Sequence, residues 1–195
     1  MEKLIDKIID TMKVNNSLTD DEEIVRYGLE IIIIKAIFIV SIIIVSIFMK
    51  CLAESIFFTI SYSLIRQYGG GSHASTKREC FVRSMLTLIF ALCIIKAAEN
   101  IFLFIFPIFV ISLAAVVYIF IFAPIDSENK RLDKDEIRVY GKKAKVMTIL
   151  MLLTAVALLF IKLNAFAVAV MTGIATAAFL MFVGQIQNFK CGDRQ

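Results

Sequence analysis

"IIIIKAIFIVSIIIVSIFM" runs from Ile31 to Met49 with one charge, Lys35, and decides the class of fold. A helix that crosses the hydrocarbon core of a bilayer needs about 20 apolar residues and rarely fewer than 17. This run is long enough, and Ile101–Ala123, Val146–Ile161 and Ala165–Gly184 qualify or come close. Two further runs, Leu52–Ile65 and Met85–Ala98, are shorter and carry Glu54 and Lys96. They read as short spans, as tilted helices packed on others, or as re-entrant pieces. Across its 195 residues the chain is 59% hydrophobic, with a mean hydropathy of +0.84. A soluble domain holds roughly 45–50% apolar residues. The expected fold is therefore an all-α integral membrane protein of about six transmembrane or partly re-entrant helices.

The basic residues orient those segments, because cytoplasmic loops collect Lys and Arg. With six spans and the N-terminus inside, four regions face the cytoplasm. They hold Lys3, Lys7, Lys13 and Arg26; Arg66, Lys77, Arg78 and Arg83; Lys130, Arg131, Lys134, Arg138, Lys142, Lys143 and Lys145; and Lys190 and Arg194. The other side keeps only Lys50, Lys96 and Lys162, at tight turns, while Lys35 lies within the first span. Both termini are thus expected inside, with almost nothing exposed outside. A receptor or an enzyme working on the outer side would present more.

The first 23 residues, "MEKLIDKIIDTMKVNNSLTDDEE", carry acids throughout and lack the cleavage site of a signal peptide. Leu4, Ile5, Ile8, Ile9 and Met12 recur at helical spacing between Lys3, Lys7 and Lys13. Such an amphipathic helix suits a membrane interface, and equally suits packing on the rest of the protein. The four cysteines, Cys51, Cys80, Cys93 and Cys191, form neither a CxxC pair nor a zinc spacing. Cys51 and Cys93 lie in or beside apolar segments, where a thiol acts as a small hydrophobe. Cys80 differs, with Lys77, Arg78, Glu79 and Arg83 around it.

That cysteine closes the polar stretch "RQYGGGSHASTKREC", Arg66 to Cys80, which also holds three glycines and the only histidine, His73. On one straight helix seven residues would separate His73 and Cys80 by roughly 10.5 Å, too far for a hydrogen bond. Gly69, Gly70 and Gly71 argue against one helix. Thr76 followed by Glu79 matches the capping box that starts a new one. Cys80 would then fall in the first helical turns, with His73 in a loop able to fold back on it. Helix N-termini and nearby cations favour the cysteine thiolate, the nucleophilic form. An imidazole beside it would take the thiol proton and return one to a leaving amine. First-turn and glycine-run amides are candidate donors to an oxyanion. Against this, a lone loop histidine is commonly just solvated, and a lone cysteine a filler. One His and one nearby Cys do not make a zinc site, and the glycine run lacks the GK[ST] ending of a phosphate loop. No metal, cofactor or nucleic acid is expected.

On these residues the chain resembles the AgrB family, the accessory gene regulator proteins of Gram-positive quorum sensing. The resemblance rests on Arg66, the glycines ending at Gly71, His73 and Cys80; on "YGLEIII" (Tyr27–Ile33); and on "FAPIDSENKRL" (Phe122–Leu132). It implies a plasma-membrane cysteine endopeptidase that processes a precursor peptide, AgrD, with His73 and Cys80 as the catalytic pair. An acyl-enzyme would be resolved by a thiol or hydroxyl of the substrate, closing a thiolactone or lactone ring. Arg66 and Gly71 match family positions important for activity, for which site architecture is the expected role. Lys130 and Arg131, in the basic stretch, are candidate contacts for an acidic part of the precursor. A homodimer is expected from the resemblance and from small-residue runs such as Ala175–Ala178.

The chain thus reads as a single membrane-embedded domain over residues 1–195. An amphipathic region covers 1–28, a catalytic loop and helix start 66–83, and a basic cytoplasmic loop 124–145. Two other classes compete. A small transporter or exporter would use Lys35, Glu54, Lys96 and Glu99 as pathway residues and tolerate Cys80→Ala. A non-catalytic assembly protein would tolerate changes at both His73 and Cys80.

Overall fold

The structure, a computed structural model, describes residues 2–14, 22–71, 76–100, 102–125 and 133–192. Among them every regular element is helical. The seven α-helices are α1 (Glu2–Val14), α2 (Glu22–Phe48), α3 (Leu52–Gly69), α4 (Lys77–Asn100), α5 (Ile105–Phe122), α6 (Lys134–Phe160) and α7 (Asn164–Gly192). The expected all-α class holds. Five of them, α2, α4, α5, α6 and α7, are long and apolar enough to cross a membrane. The two doubtful runs each form one continuous helix that outlasts its apolar stretch. Leu52–Ile65 continues to Gly69, and Met85–Ala98 is preceded by two polar turns from Lys77. The basic stretch is likewise helical from Lys134. Asp133 caps it: its N–H donates to Glu136 Oε2 at 3.2 Å, and its carbonyl accepts from Ile137 at 2.9 Å.

The chain divides into two compact units, residues 1–44 and 45–195. In the first, α1 is amphipathic, with Ile5 and Ile9 buried and Asp6, Lys7 and Asp10 exposed. Two surface ion pairs tie it to the start of α2, Arg26 to Asp6 at 2.8 Å and Lys13 to Glu22 at 2.7 Å.

In the second unit α7 is the core, packed by α3, α4, α5 and α6. Residues 167–174 are buried without interruption. Small residues make this possible, because helices in lipid associate by close packing and by hydrogen bonds between them. Ala169, Gly173 and Ala177 lie one turn apart on α7. A Cβ on Gly173 would sit 2.9 Å from Ser61 Cβ and 3.0 Å from the Phe58 carbonyl, so α3 comes into backbone contact there. Ser61 Oγ donates across to the Val170 carbonyl at 3.0 Å. Ala177 and Ala178, in the run expected to favour a dimer, are buried within the chain.

The contacts fix the helix directions. Phe57 meets Phe166, Ser61 meets Val170 and Gly69 meets Met181, so α3 and α7 run parallel. Tyr118, near the end of α5, donates to Gln185 Oε1 at 2.7 Å, so α5 runs the same way. The turn before α7 follows a Schellman pattern. Leu163 N–H bonds to the Leu158 carbonyl at 2.9 Å and Lys162 N–H to Leu159 at 3.0 Å, with Lys162 left-handed at φ 61°. The turn before α3 repeats it with Lys50 at φ 53°. The last turns of α3 and α5 therefore meet α7 at one end of the unit. That end carries Arg66 and Lys143, while Lys162 lies at the other.

Candidate active site

Tyr62 and Arg66 stand one turn apart on α3, hence on one face, and their side chains are hydrogen-bonded. The helix stops at the glycines. Gly70 has φ 72° and ψ −153°, and Gly71 has φ 121°, conformations that side chains rarely adopt. Arg66 reaches over this turn, and its Nη1 donates to the Gly70 carbonyl. A Cβ on Gly71 would land on that guanidinium, and would also lie 2.9 Å from the Leu180 carbonyl and 3.0 Å from Met181 Cα. Arg66 and Gly71 occupy one space against α7, and each excludes a larger neighbour.

The glycine turn is also pinned from the other side. Ile125 N–H donates to the Gly69 carbonyl at 2.9 Å, and Gly70 pairs with Ile125 as an isolated parallel bridge. A Cβ on Gly70 would strike the Ile125 carbonyl oxygen. Pro124 is held in turn against α6, where a Cβ on Gly141 would come within 3.0 Å of Pro124 Cδ. Beside this junction Tyr68 stacks on Tyr140, ring centres 6.3 Å apart, and Lys143 Nζ lies 5.4 Å from the Tyr68 ring. The segments 72–75 and 126–132 therefore leave from one pinned junction. His73 lies in the first, two residues after Gly71; Lys130 and Arg131 lie in the second, five and six after Ile125. All three are outside the described residues.

The chain is fixed again at Thr76. Its Oγ1 accepts the Glu79 N–H at 3.2 Å, and its carbonyl accepts the Cys80 N–H at 3.0 Å. Thr76 is the N-cap of α4, as its spacing from Glu79 predicts, and Cys80 falls in the first turns. Glu79 pairs with Arg83 one turn on, so the Arg83 charge is partly matched locally. Cys80 is exposed and in no disulfide. Cys80 interacts electrostatically with Tyr62, and α3 and α4 are in contact. Tyr62 was not singled out from the sequence; its spacing of four from Arg66 is the signal that was there. Glu54 lies in the first turn of α3 and Lys96 near the end of α4, both remote from Cys80. Among the described residues no three His, Cys, Asp or Glu side chains cluster as metal ligands do.

The sequence model of the family "Accessory gene regulator B" (AgrB) matches residues 2–183, which include every residue just placed. The chain belongs to the AgrB family. A protein of Clostridium perfringens (strain 13 / Type A) named "Putative AgrB-like protein 2" is 29% identical over 149 residues, 70% of this chain and 68% of that protein. A second, "Putative AgrB-like protein" of Clostridium perfringens (strain SM101 / Type A), is 27% identical over the same shares. No solved structure matches the chain. AgrB membership together with the long apolar helices makes this a membrane protein. The family acts in the processing of quorum-sensing peptides, and an AgrD-like precursor is the partner it implies.

Proposed function

We propose that this AgrB protein is a membrane cysteine endopeptidase that cuts an AgrD-like precursor and closes the released segment into a ring. One observation carries this reading: an exposed thiol, Cys80, set by the Thr76 cap in the first turns of α4, a helix in contact with α3, which bears the Tyr62–Arg66 pair. The four residues 72–75 bridge two fixed points, Gly71 against α7 and Thr76 at the cap. In the chain His73 stands two residues after Gly71 and three before Thr76.

In the reaction His73 takes the proton from Cys80 Sγ, and the sulfur attacks the carbonyl carbon of the scissile peptide bond. The C–N bond breaks, the amine leaves with the proton held by His73, and the acyl group stays on Cys80 as a thioester. A thiol or hydroxyl of the same peptide then gives up its proton and attacks that carbonyl. The new thioester or ester closes the ring and returns Cys80 to its thiol. Excluding water during this interval protects the acyl-enzyme from hydrolysis, which suits a site at a membrane surface. Arg66 acts as a brace through the Gly70 carbonyl rather than as a proton carrier. Lys130 and Arg131, leaving the same junction, meet an acidic part of the precursor. The site faces the cytoplasm, the side to which the basic residues assign that end.

Co-expression of the precursor with wild-type protein, Cys80→Ala and His73→Ala tests this. Wild type yields a shortened peptide and a thioester adduct by mass. Both variants insert normally and give neither. Cleavage by Cys80→Ala would remove the thiol from the chemistry and favour a transporter or assembly role.

A further inference from the structure

α6 has two faces along its length. Gly141, Ala144, Thr148, Met151 and Ala155 are buried within the bundle. On the opposite side Arg138, Val139, Lys142, Val146, Ile149 and Leu153 follow one another at helical spacing and are all exposed. Because α6 is long and apolar enough to cross the membrane, the part of this stripe from Val146 onward faces acyl chains. Toward the N-terminus of the helix the same stripe turns basic without a break. Between Ile137 and Val146 lie four cations, Arg138, Lys142, Lys143 and Lys145, and no acid. Asp135 and Glu136 stand in the first turn, farther from the apolar part.

The four cations are not equivalent. Lys143 lies over the Tyr68 ring, and half-buried Lys145 stands 6.0 Å from the Phe120 ring centre. Arg138 and Lys142 belong to the exposed stripe, one turn apart, and neither has an ion pair or hydrogen bond among the described residues. Lys142 is about 6 Å along the axis from Val146, and Arg138 about 12 Å. The headgroup layer extends roughly 5–8 Å beyond the hydrocarbon on each side, so long side chains at both positions reach it. An anionic phospholipid matches both halves of this surface, a phosphate for the cations and acyl chains for the apolar stripe that continues from them. An acidic peptide matches only the first half.

We infer that this stripe binds an anionic phospholipid, its headgroup held by Arg138 and Lys142 and its chains laid along Val146, Ile149 and Leu153. One cation near an anionic surface favours it roughly fivefold, so the pair gives a preference on the order of 25-fold over a zwitterionic lipid.

The chain has no tryptophan, so Val139→Trp, on the stripe between the two cations, is its sole indole fluorophore. The protein is reconstituted in equal parts of phosphatidylcholine and phosphatidylglycerol, with bromine on the chains of one lipid or the other, and quenching gives the relative affinity. Val139→Trp should prefer phosphatidylglycerol by at least about 5-fold. Phe106→Trp, at the start of α5 and the far end of the unit, should show a ratio near 1. Val146→Trp repeats the reading farther along the stripe if Val139→Trp inserts poorly. Adding Arg138→Gln and Lys142→Gln should bring the ratio to about 1, whereas Lys143→Gln with Lys145→Gln, an equal loss of charge on the flanks, should keep it above about 3-fold. A parent ratio within about 2-fold of 1 overturns the inference. So does an equal fall in the two double variants, which would show diffuse charge without a site. A fluorophore that ignores the headgroup but responds to added AgrD-like precursor overturns it in favour of a peptide surface.

Discussion

Gly70→Ala tests whether the junction between the two loops organises the site. At φ 72° and ψ −153° Gly70 occupies a region that is nearly glycine-only, and a non-glycine residue there costs about 1–3 kcal/mol. The added methyl would also collide with the Ile125 carbonyl oxygen, which is backbone and cannot swing aside as a side chain tip can. Relief requires the two segments to part, and that removes the Ile125 N–H bond to the Gly69 carbonyl, worth about 0.5–1.5 kcal/mol. Together these shift the pinned junction toward an open form by roughly 2–4 kcal/mol, or about 30- to 1,000-fold at tenfold per 1.4 kcal/mol. The helices of the core do not depend on this junction, so insertion and accumulation stay near wild type. The assay is the initial rate of precursor cleavage per inserted protein, beside limited trypsin cutting at Lys130 and Arg131. Gly70→Ala should cut precursor at least about 30-fold more slowly and be nicked faster. Gly28→Ala is the control, since a Cβ there meets nothing within 4 Å and alanine is favoured over glycine in a helix by about 1 kcal/mol. Cleavage by Gly70→Ala within about 3-fold of wild type would refute the reasoning, because the junction would then not constrain the segment that carries His73.

Tyr62→Phe removes the hydroxyl bonded to Arg66 while keeping the ring. Cleavage should fall by about 10-fold, the loss of a hydrogen bond to a charged group, with membrane insertion unchanged; an unchanged rate would show that Arg66 is held by Gly70 alone. Lys162→Gly and Lys50→Gly relieve left-handed backbone at the two Schellman turns. Each should stabilise the detergent-solubilised protein by about 1 kcal/mol, read as a raised unfolding midpoint, and a lowered midpoint would mean that the lysine contacts outweigh the strain.

Hydropathy made the helices visible but not their partners. All six apolar runs became helices, yet α3 and α4 outran their apolar stretches because polar end turns carry no hydropathy signal. Caps mark such ends instead. Thr76–Glu79 was readable in advance, and Asp133–Glu136, the same spacing before α6, would have placed Lys134–Lys145 on a helix rather than in a loop. The parallel packing of α3 on α7 was not legible, because Ser61 and Gly173 are more than a hundred residues apart and neither belongs to an unusual pattern by itself. The same holds for the junction. Gly70 is conspicuous as one of three glycines, but nothing in "FAPIDSENKRL" shows that Ile125 is the residue it meets.

The site's polar parts sit on the apolar packing in an ordered way. Gly69 lies against Met181, where a Cβ would come within 2.9 Å of the sulfur, and so brings the end of α3 onto α7. Only then does Gly71 reach the Leu180 carbonyl, and only with Gly71 bare does Arg66 have room to close over the turn onto the Gly70 carbonyl. Ile125, arriving from α5, completes the enclosure through the Gly69 carbonyl. A larger residue at any of the three glycines would meet a different neighbour: the side chain of Met181, the backbone of Ile125, or the guanidinium and α7 backbone. The glycine run is therefore three separate steric requirements set side by side.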